Sequence, residues 1–340
     1  MATEHRHLAE RLPEFLLPWY RKHRRQLPWR ADREPYHVWL SEIMLQQTRV
    51  EAVKGYYERF LRELPTVEAL ADASEDRLTK LWEGLGYYSR VRNLQKAARE
   101  ILALGSFPNT YKELLSLSGI GPYTAGAIAS ICFEEPVAAV DGNVIRVLSR
   151  YLGETVERRD AAELLGPVYP IGNCGDFTQA LMELGATVCA PNGAPDCDHC
   201  PLRELCIAKE QGRQRELPIK KPKKERRIEH RTVFVLQCGD KLAICKRPAK
   251  GLLAGLWQFP DTEGHLTMQE ALSLASEWGV APQSPVLEIE REHIFTHVEW
   301  KLRGIYLQCG DMSPNFQWYS REAIGEAIGL PTAYRQFLDV

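Results

Sequence analysis

The sequence predicts a chain of two unlike parts: an all-α region over residues 1–210, then a smaller α/β domain over 231–340, joined by a basic segment at 211–230. Three observations carry this. Helical periodicity dominates the first two-thirds, where strictly alternating β-branched runs are scarce. Residues 211–230, QGRQRELPIKKPKKERRIEH, have no apolar periodicity, and basic residues interrupted by prolines mark a linker. Strand signals begin beyond it. A length of 340 residues suits two or three cores better than one.

The elements follow in order. Leu12, Phe15, Leu16 and Trp19 recur at helical spacing, with Pro18 expected to kink or delay that helix. Further helical patterns run near His37–Arg49, Arg77–Trp82, Arg90–Leu104, Thr124–Cys132 and Asn143–Tyr151. Arg21, Lys22, Arg24 and Arg25 read as a solvated helix face. After the linker, Thr232–Gln237 and Leu242–Lys246 flank a Gly239-Asp240 turn and predict a hairpin. Trp300–Leu307 is a further strand and Met268–Trp278 a helix.

Composition narrows the class. The chain is 44% hydrophobic and 26% charged, with no apolar run of membrane-spanning length and no apolar signal core in MATEHRHLAE. A cytoplasmic, non-membrane protein is the expectation, and nine cysteines there point to metal ligation rather than disulfides. A formal net charge of −2 gives no global basic footprint. A nucleic-acid partner then requires positive charge gathered on one face.

Cys189, Cys197, Cys200 and Cys206 are spaced C-x7-C-x2-C-x5-C. Four thiolates this close can surround one soft metal centre, and the spacing alone admits zinc or an iron–sulfur cluster equally. Leu117-Ser118-Gly119-Ile120-Gly121-Pro122-Tyr123 fits a helix–hairpin–helix. Its glycines permit a tight turn, and the following helix start exposes N–H groups to a phosphate. Taken alone, Glu42 reads as an exposed helix residue and Asp141 as the N-cap of the Asn143–Tyr151 helix.

These pieces occur in the order found in the helix–hairpin–helix DNA glycosylases. Leu27-Pro28-Trp29-Arg30, Ser41-Glu42-Ile43-Met44-Leu45-Gln46-Gln47-Thr48, Glu83-Gly84-Leu85-Gly86-Tyr87-Tyr88-Ser89-Arg90 and Val140-Asp141-Gly142-Asn143-Val144 resemble the MutY type. The cysteine segment resembles the cluster loop of endonuclease III and MutY glycosylases, whose usual spacing is C-x6-C-x2-C-x5-C. It differs by one residue near Asn192-Gly193-Ala194, which a glycine-containing surface loop should absorb. The resemblance therefore implies one 4Fe-4S cluster on the four cysteines. It also implies a six-helix subdomain at about 30–136 and a cluster subdomain formed by about 1–29 with 137–210.

By the same resemblance, Glu42 is the general acid at adenine N7, its pKa raised beside Ile43, Met44 and Leu45. Asp141 stabilises the oxocarbenium-like sugar or attacks it transiently, and Asn143 orients Asp141. Tyr123 stands where bifunctional relatives carry a Schiff-base lysine, which implies base removal without efficient strand cleavage. Gln47 with Thr48, and Tyr87, are implied at the DNA stack beside a flipped base. Trp29 and Arg30 are implied at the adenine pocket, and Gly119 and Gly121 at the phosphate backbone. Ordinary packing competes as a reading of Trp29 and Tyr87.

Residues 231–340 resemble the Nudix-like domain of MutY through Gly251–Pro260, GLLAGLWQFP, and His293-Ile294-Phe295-Thr296-His297. Gln269–Val280, QEALSLASEWGV, lacks most of the glutamates a Nudix hydrolase needs, so a recognition module is expected. Phe295, Thr296 and His297 are implied to read 8-oxoguanine opposite adenine, with packing in a small core as the competing reading of Phe295. Lys220, Lys221, Lys223, Lys224, Arg226 and Arg227 either track phosphates or are merely solvated. The expected substrate is double-stranded DNA with an 8-oxoguanine:adenine or guanine:adenine mispair, bound by a monomer. A thymine-mismatch glycosylase and a non-catalytic lesion sensor compete, against the C-terminal domain and the retained carboxyls respectively.

Overall fold

The computed structural model describes residues 2–219 and 225–338. Lys220, Lys221, Lys223 and Lys224 of the basic segment lie outside the described residues. The chain forms two compact units, Met1–Asp72 with Asn93–Lys221, and Ala73–Arg92 with Pro222–Val340. No helix among the described residues is long and apolar enough to cross a membrane.

The first unit is helical. Its elements are α1 (Ala2–Glu10), α2 (Leu12–His23), α3 (Pro35–Leu45), α4 (Val50–Glu63) and α5 (Val67–Asp72). In chain order, α6 (Glu75–Leu81) belongs to the second unit and α7 (Ser89–Leu104) begins there. The first unit continues with α8 (Tyr111–Leu114), α9 (Pro122–Phe133), α10 (Gly142–Tyr151), α11 (Arg158–Leu165), α12 (Cys174–Thr187) and α13 (Ile207–Glu210). Helix α2 runs through Pro18 to His23, so the expected delay does not occur. The helix starts early enough that Pro18 costs it one internal hydrogen bond, which the buried Leu12, Leu16 and Tyr20 outweigh. Burying each such side chain contributes about 1.5–3 kcal/mol.

Helix α12 is the centre of this unit, although its periodicity did not stand out in the sequence. It packs on α2, α9 and α10, burying Phe177, Leu181 and Leu184. Gly185 allows the close crossing with α10. A Cβ there would lie 2.6 Å from Asn143 Cβ and 3.1 Å from the Asn143 backbone.

In the second unit, β1 (Arg227–Cys238), β2 (Lys241–Lys246), β3 (Trp257–Gln258), β4 (Asp261–Glu263), β5 (Pro282–Ile294), β6 (Val298–Cys309) and β7 (Gln317–Ser320) form one sheet. Its main order is β3-β2-β1-β6-β5, with β1 parallel to β6. Residues 227–230, expected in the linker, belong to β1. Their polar side chains hid a strand whose pairing with 298–301 is by backbone. Gln237 pairs with Leu242 and Cys238 with Lys241, which closes the hairpin at Gly239-Asp240 as expected. The central strand is buried on both faces. Val233 and Val235 join Leu302 and the C-terminal helices α15 (Arg321–Ala327) and α16 (Thr332–Arg335). Phe234 and Leu236 face α14 (Met268–Glu277).

Candidate active site

Helices α3, α9, α10 and α12 line a cavity of about 670 Å³, with walls that include Glu42, Tyr123, Asp141, Asn143 and Glu183. The volume is in the range that holds a small organic ligand. The structure thus brings Glu42, Tyr123, Asp141 and Asn143 together from three separate stretches of sequence.

Glu42 is not an exposed helix residue: only 7% of it reaches solvent, between the buried Ile43 and Ser41. Burial raises its carboxyl to about 7, and the neighbouring Asp141 adds to the rise. The Tyr123 hydroxyl donates to Glu42 Oε2 and works the other way, as does the Arg30 charge. Burial and the two carboxyls push the Tyr123 phenol well up, so at neutral pH this hydroxyl is a donor. Met182 Sδ lies 3.9 Å from the same oxygen.

Asp141 caps α10, its Oδ1 accepting from Val144 N–H at 2.7 Å. Its Oδ2 accepts from Asn143 Nδ2 at 2.7 Å. Burial raises the Asp141 carboxyl, and these donors and Arg146 oppose the rise. Arg146 Nη2 in turn holds Asn143 Oδ1 at 2.7 Å and Gly185 O at 2.8 Å. One geometry therefore has Asp141 both capping α10 and lining the cavity.

Opposite the carboxyls, Glu183 on α12 is fully buried at its side chain and grips two arginines. Arg25 Nε reaches Oε1 at 2.8 Å and Arg30 Nη2 reaches Oε2 at 2.8 Å. Burial works to raise this carboxyl, and the arginines overcome it and hold it at about 2. Arg25 is thus no solvated residue, whereas Arg21, Lys22 and Arg24 are exposed. Its backbone N–H also bonds Glu183, because α2 has already ended at His23. Trp29 lines the cavity and packs edge-on against Tyr57 at 5.6 Å. Arg158, at the start of α11, lines it too and donates to Val140 O. Glu183, Arg146 and Arg158 were not found from the sequence; the only signal was a carboxylate and arginines within helices of ordinary composition.

Gln47 and Thr48 border the cavity after α3. Gln47 is exposed with φ 59°, a left-handed conformation that non-glycine residues keep mainly where surroundings impose it. In the hairpin turn, Gly119 has φ 75°, and a Cβ there would meet Asn93 Cβ at 2.5 Å. Gly121 is the N-cap of α9, with no side-chain cap and nothing within 4 Å of an added Cβ. That helix end is open to an anion.

Cys189, Cys197, Cys200 and Cys206 line one cavity together with Arg150 and Lys209. Among the described residues no three His, Cys, Asp or Glu side chains converge on a single-ion site. Burial and the other thiols push Cys197 and Cys206 up, and burial drives Cys200 to about 12. Arg150 Nη1 lies 3.3 Å from Cys189 Sγ. Four thiols beside the Arg150 guanidinium are a donor set that fits a thiolate-ligated metal centre. The extra residue is taken up in an exposed bend at 191–194, where Gly193 has φ 77° and Asp196 N–H closes the loop on Val188 O at 3.0 Å.

In the second unit, Phe295, Thr296 and His297 form the tip between β5 and β6. Phe295 is half-buried against His293 at 4.5 Å and Trp300 at 5.0 Å, which favours its packing reading, while Thr296 and His297 are exposed. Tyr87, 47% exposed, shares a hydrogen bond between its hydroxyl and Thr296 Oγ1. Arg226 Nε donates to Phe295 O at 3.1 Å. Helix α14 has two acidic residues, Glu270 and Glu277, and Glu270 is engaged in a capping box with Thr267.

Residues 40–165 match the family model described as "HhH-GPD superfamily base excision DNA repair protein", and residues 232–340 match "NUDIX domain". The chain is 37% identical to the adenine DNA glycosylase of Rattus norvegicus, over 84% of this chain and 68% of that protein. It is 37% identical to that of Arabidopsis thaliana, of which it spans 55%. It is 33% identical to that of Buchnera aphidicola subsp. Baizongia pistaciae, over 93% of each. Among solved structures, a thermostable thymine-DNA glycosylase is similar at TM-score 0.56 and 29% identity, over 62% of this chain and 99% of that one. An endonuclease III trapped in a covalent DNA intermediate shares the fold at TM-score 0.52 and 22% identity, over 62% and 98%. The chain belongs to the adenine DNA glycosylase family, with a helix–hairpin–helix base-excision repair domain followed by a NUDIX domain.

Proposed function

We propose that this chain excises adenine paired with 8-oxoguanine or guanine in double-stranded DNA, by acid-assisted cleavage of the N-glycosidic bond without strand scission. The observation that carries this is the buried Glu42 carboxyl, held near neutrality in a cavity that also presents Asp141. A carboxyl titrating at about 7 keeps a proton at neutral pH and delivers it to adenine N7, which makes the base a better leaving group. The sugar then carries positive charge, and Asp141, fixed by Val144 N–H and Asn143, sits as the stabilising anion or transient nucleophile. With tyrosine at 123, the residue that holds Glu42 has no amine for a Schiff base.

Trp29 and Arg30, beside Glu183, form the wall that receives the flipped base, and Gln47, Thr48 and Tyr87 fill the stack it leaves. Gly119 and Gly121 offer the open start of α9 to a backbone phosphate. Thr296 and His297, exposed at the β5–β6 tip, read the opposite base, with Phe295 supporting them from the core. Residues 1–210 serve as catalytic region, the segment from 211 to the start of β1 at Arg227 as connector, and the rest to 340 as recognition domain of one monomeric, cytoplasmic enzyme.

Cys189, Cys197, Cys200 and Cys206 would hold a 4Fe-4S cluster. Such a cluster supplies four metal–thiolate bonds that tie the loop after α12 to α13, and a redox-capable centre. Analysis for about four iron and four acid-labile sulfide per chain tests this, and one zinc per chain refutes it. The function itself is tested by base release from duplexes with adenine opposite 8-oxoguanine. Breaks appearing mainly after alkali support it. No release by protein that carries its cluster overturns it in favour of another mispaired base.

A further inference from the structure

We infer that Glu83 is a positioning residue for mispair discrimination, clamping the root of the Tyr87 loop so that Tyr87 and Thr296 meet the DNA as one element. This rests on the proposed reading of those two residues as DNA contacts.

The loop is built to a fixed shape. Gly84, Gly86 and Tyr87 have φ of 95°, 68° and 45°. A tyrosine in the left-handed region persists only where its surroundings dictate it. Here Trp82 Nε1 donates to Gly86 O at 3.0 Å, and Arg90 Nη2 donates to Leu85 O at 2.8 Å and Gly86 O at 3.1 Å. Arg90 N–H returns to Tyr87 O at 2.9 Å, and its guanidinium lies 5.7 Å from the Tyr87 ring centre. The far end of Tyr87 shares its hydroxyl hydrogen bond with Thr296, on the tip of a different hairpin.

Glu83 stands immediately before this loop and is 11% exposed at its side chain. Its Oε1 accepts from Leu330 N–H at 3.1 Å. Its Oε2 takes Lys80 Nζ at 2.8 Å and Arg335 Nη1 at 2.6 Å. Lys80 also donates to Gly325 O and to Ile328 O, the latter at 3.3 Å. The backbone of α6 and the 325–335 segment come so close that a Cβ on Gly329 would lie 2.8 Å from the Thr79 carbonyl carbon. Near the start of α6, Asp76 accepts from Trp257 Nε1 at 2.9 Å, and Arg92 of α7 donates through Nη1 to Ala254 O at 2.7 Å. One carboxylate with three donors from two segments therefore fixes where the loop leaves α6. Thr296 is fixed by the sheet to which those segments are bound. The separation of the two hydroxyls follows from that clamp.

The test uses the full-length protein carrying its metal centre. Single-turnover adenine release is measured opposite 8-oxoguanine and opposite guanine, and the rate ratio is the discrimination. Glu83→Ala is expected to lower the ratio about 3- to 10-fold. In a Tyr87→Phe, Thr296→Val background, which lacks the hydroxyl pair, it is expected to lower it no further. An unchanged ratio in Glu83→Ala, or losses that multiply in the combined variant, overturns the inference. Should Glu83→Ala not fold, Glu83→Gln keeps an acceptor for Leu330 N–H while losing the charge pairs, and the same cycle applies with a smaller loss. A wild-type protein that releases no adenine refutes the proposed function instead; one that discriminates, with an additive cycle, refutes only the role of Glu83.

Discussion

Glu42 makes a quantitative demand on the stability of the protein. Burial raises its carboxyl from 4.5 to about 7. The unfolded chain loses this proton near 4.5, so between that pH and about 7 the folded state holds a proton that the unfolded state does not. Its contribution to stability is therefore complete below the unfolded pKa and is lost as pH rises through the folded one. At about 1.4 kcal/mol per pKa unit, the loss amounts to about 3 kcal/mol. Glu42→Gln removes the ionisation and keeps an acceptor for the Tyr123 hydroxyl. At pH 8 the variant is expected to be about 3 kcal/mol more stable than wild type, and near pH 4.5 the two should coincide. Urea unfolding followed by tryptophan fluorescence across that range measures the difference directly. In parallel, adenine release by the wild type is expected to fall about tenfold per pH unit above 7, and to be abolished in the variant. A stability difference that does not change with pH refutes the buried, protonated carboxyl, and normal excision by Glu42→Gln refutes its catalytic role.

Other variants probe the surroundings. Tyr123→Phe deletes the hydrogen bond that lowers the Glu42 pKa, so the alkaline limb of the pH–rate profile should move to higher pH; a shift to lower pH contradicts the geometry. Glu183→Ala leaves Arg25 and Arg30 facing each other without their carboxylate and should cost about 3–5 kcal/mol by urea unfolding. Because that carboxylate sits at about 2, its contribution is present above the unfolded value of 4.5 and is lost only as pH falls toward 2. An unchanged midpoint at pH 7 would contradict the buried pairing. Gly185→Ala forces a Cβ against Asn143 and should destabilise by about 1–3 kcal/mol while slowing single-turnover excision, since Asn143 holds Asp141. Full rate at normal stability would show that α12 can give way.

What was legible in the sequence depended on how locally it is written. The four cysteines lie within one short segment, so a candidate metal-ligating set was visible from spacing, and the hairpin at Gly239-Asp240 was visible from its turn. The cavity draws on residues 42, 123, 141 and 183 from four helices. Only the motifs resembling a known family joined the first three. Glu183 carried no such mark, because a buried carboxylate looks like a surface one until Arg25 and Arg30 are seen on it. Strand β5 was missed for a related reason: Glu288, Glu290 and Glu292 point outward from an edge strand, and their charge masked the alternation with Leu287 and Ile289.

If Asp141 acts in the reaction as proposed, its capping of α10 ties that helix to the chemistry. A helix start holds its acceptor best when that acceptor is an anion. Any event that takes the charge from Asp141, whether protonation or a bond to the sugar, leaves the first turn of α10 poorly terminated, at a cost of about 1 kcal/mol. Regenerating the free carboxylate restores the cap. On that proposal the start of α10 would favour the states in which Asp141 is a free anion over those in which it is engaged.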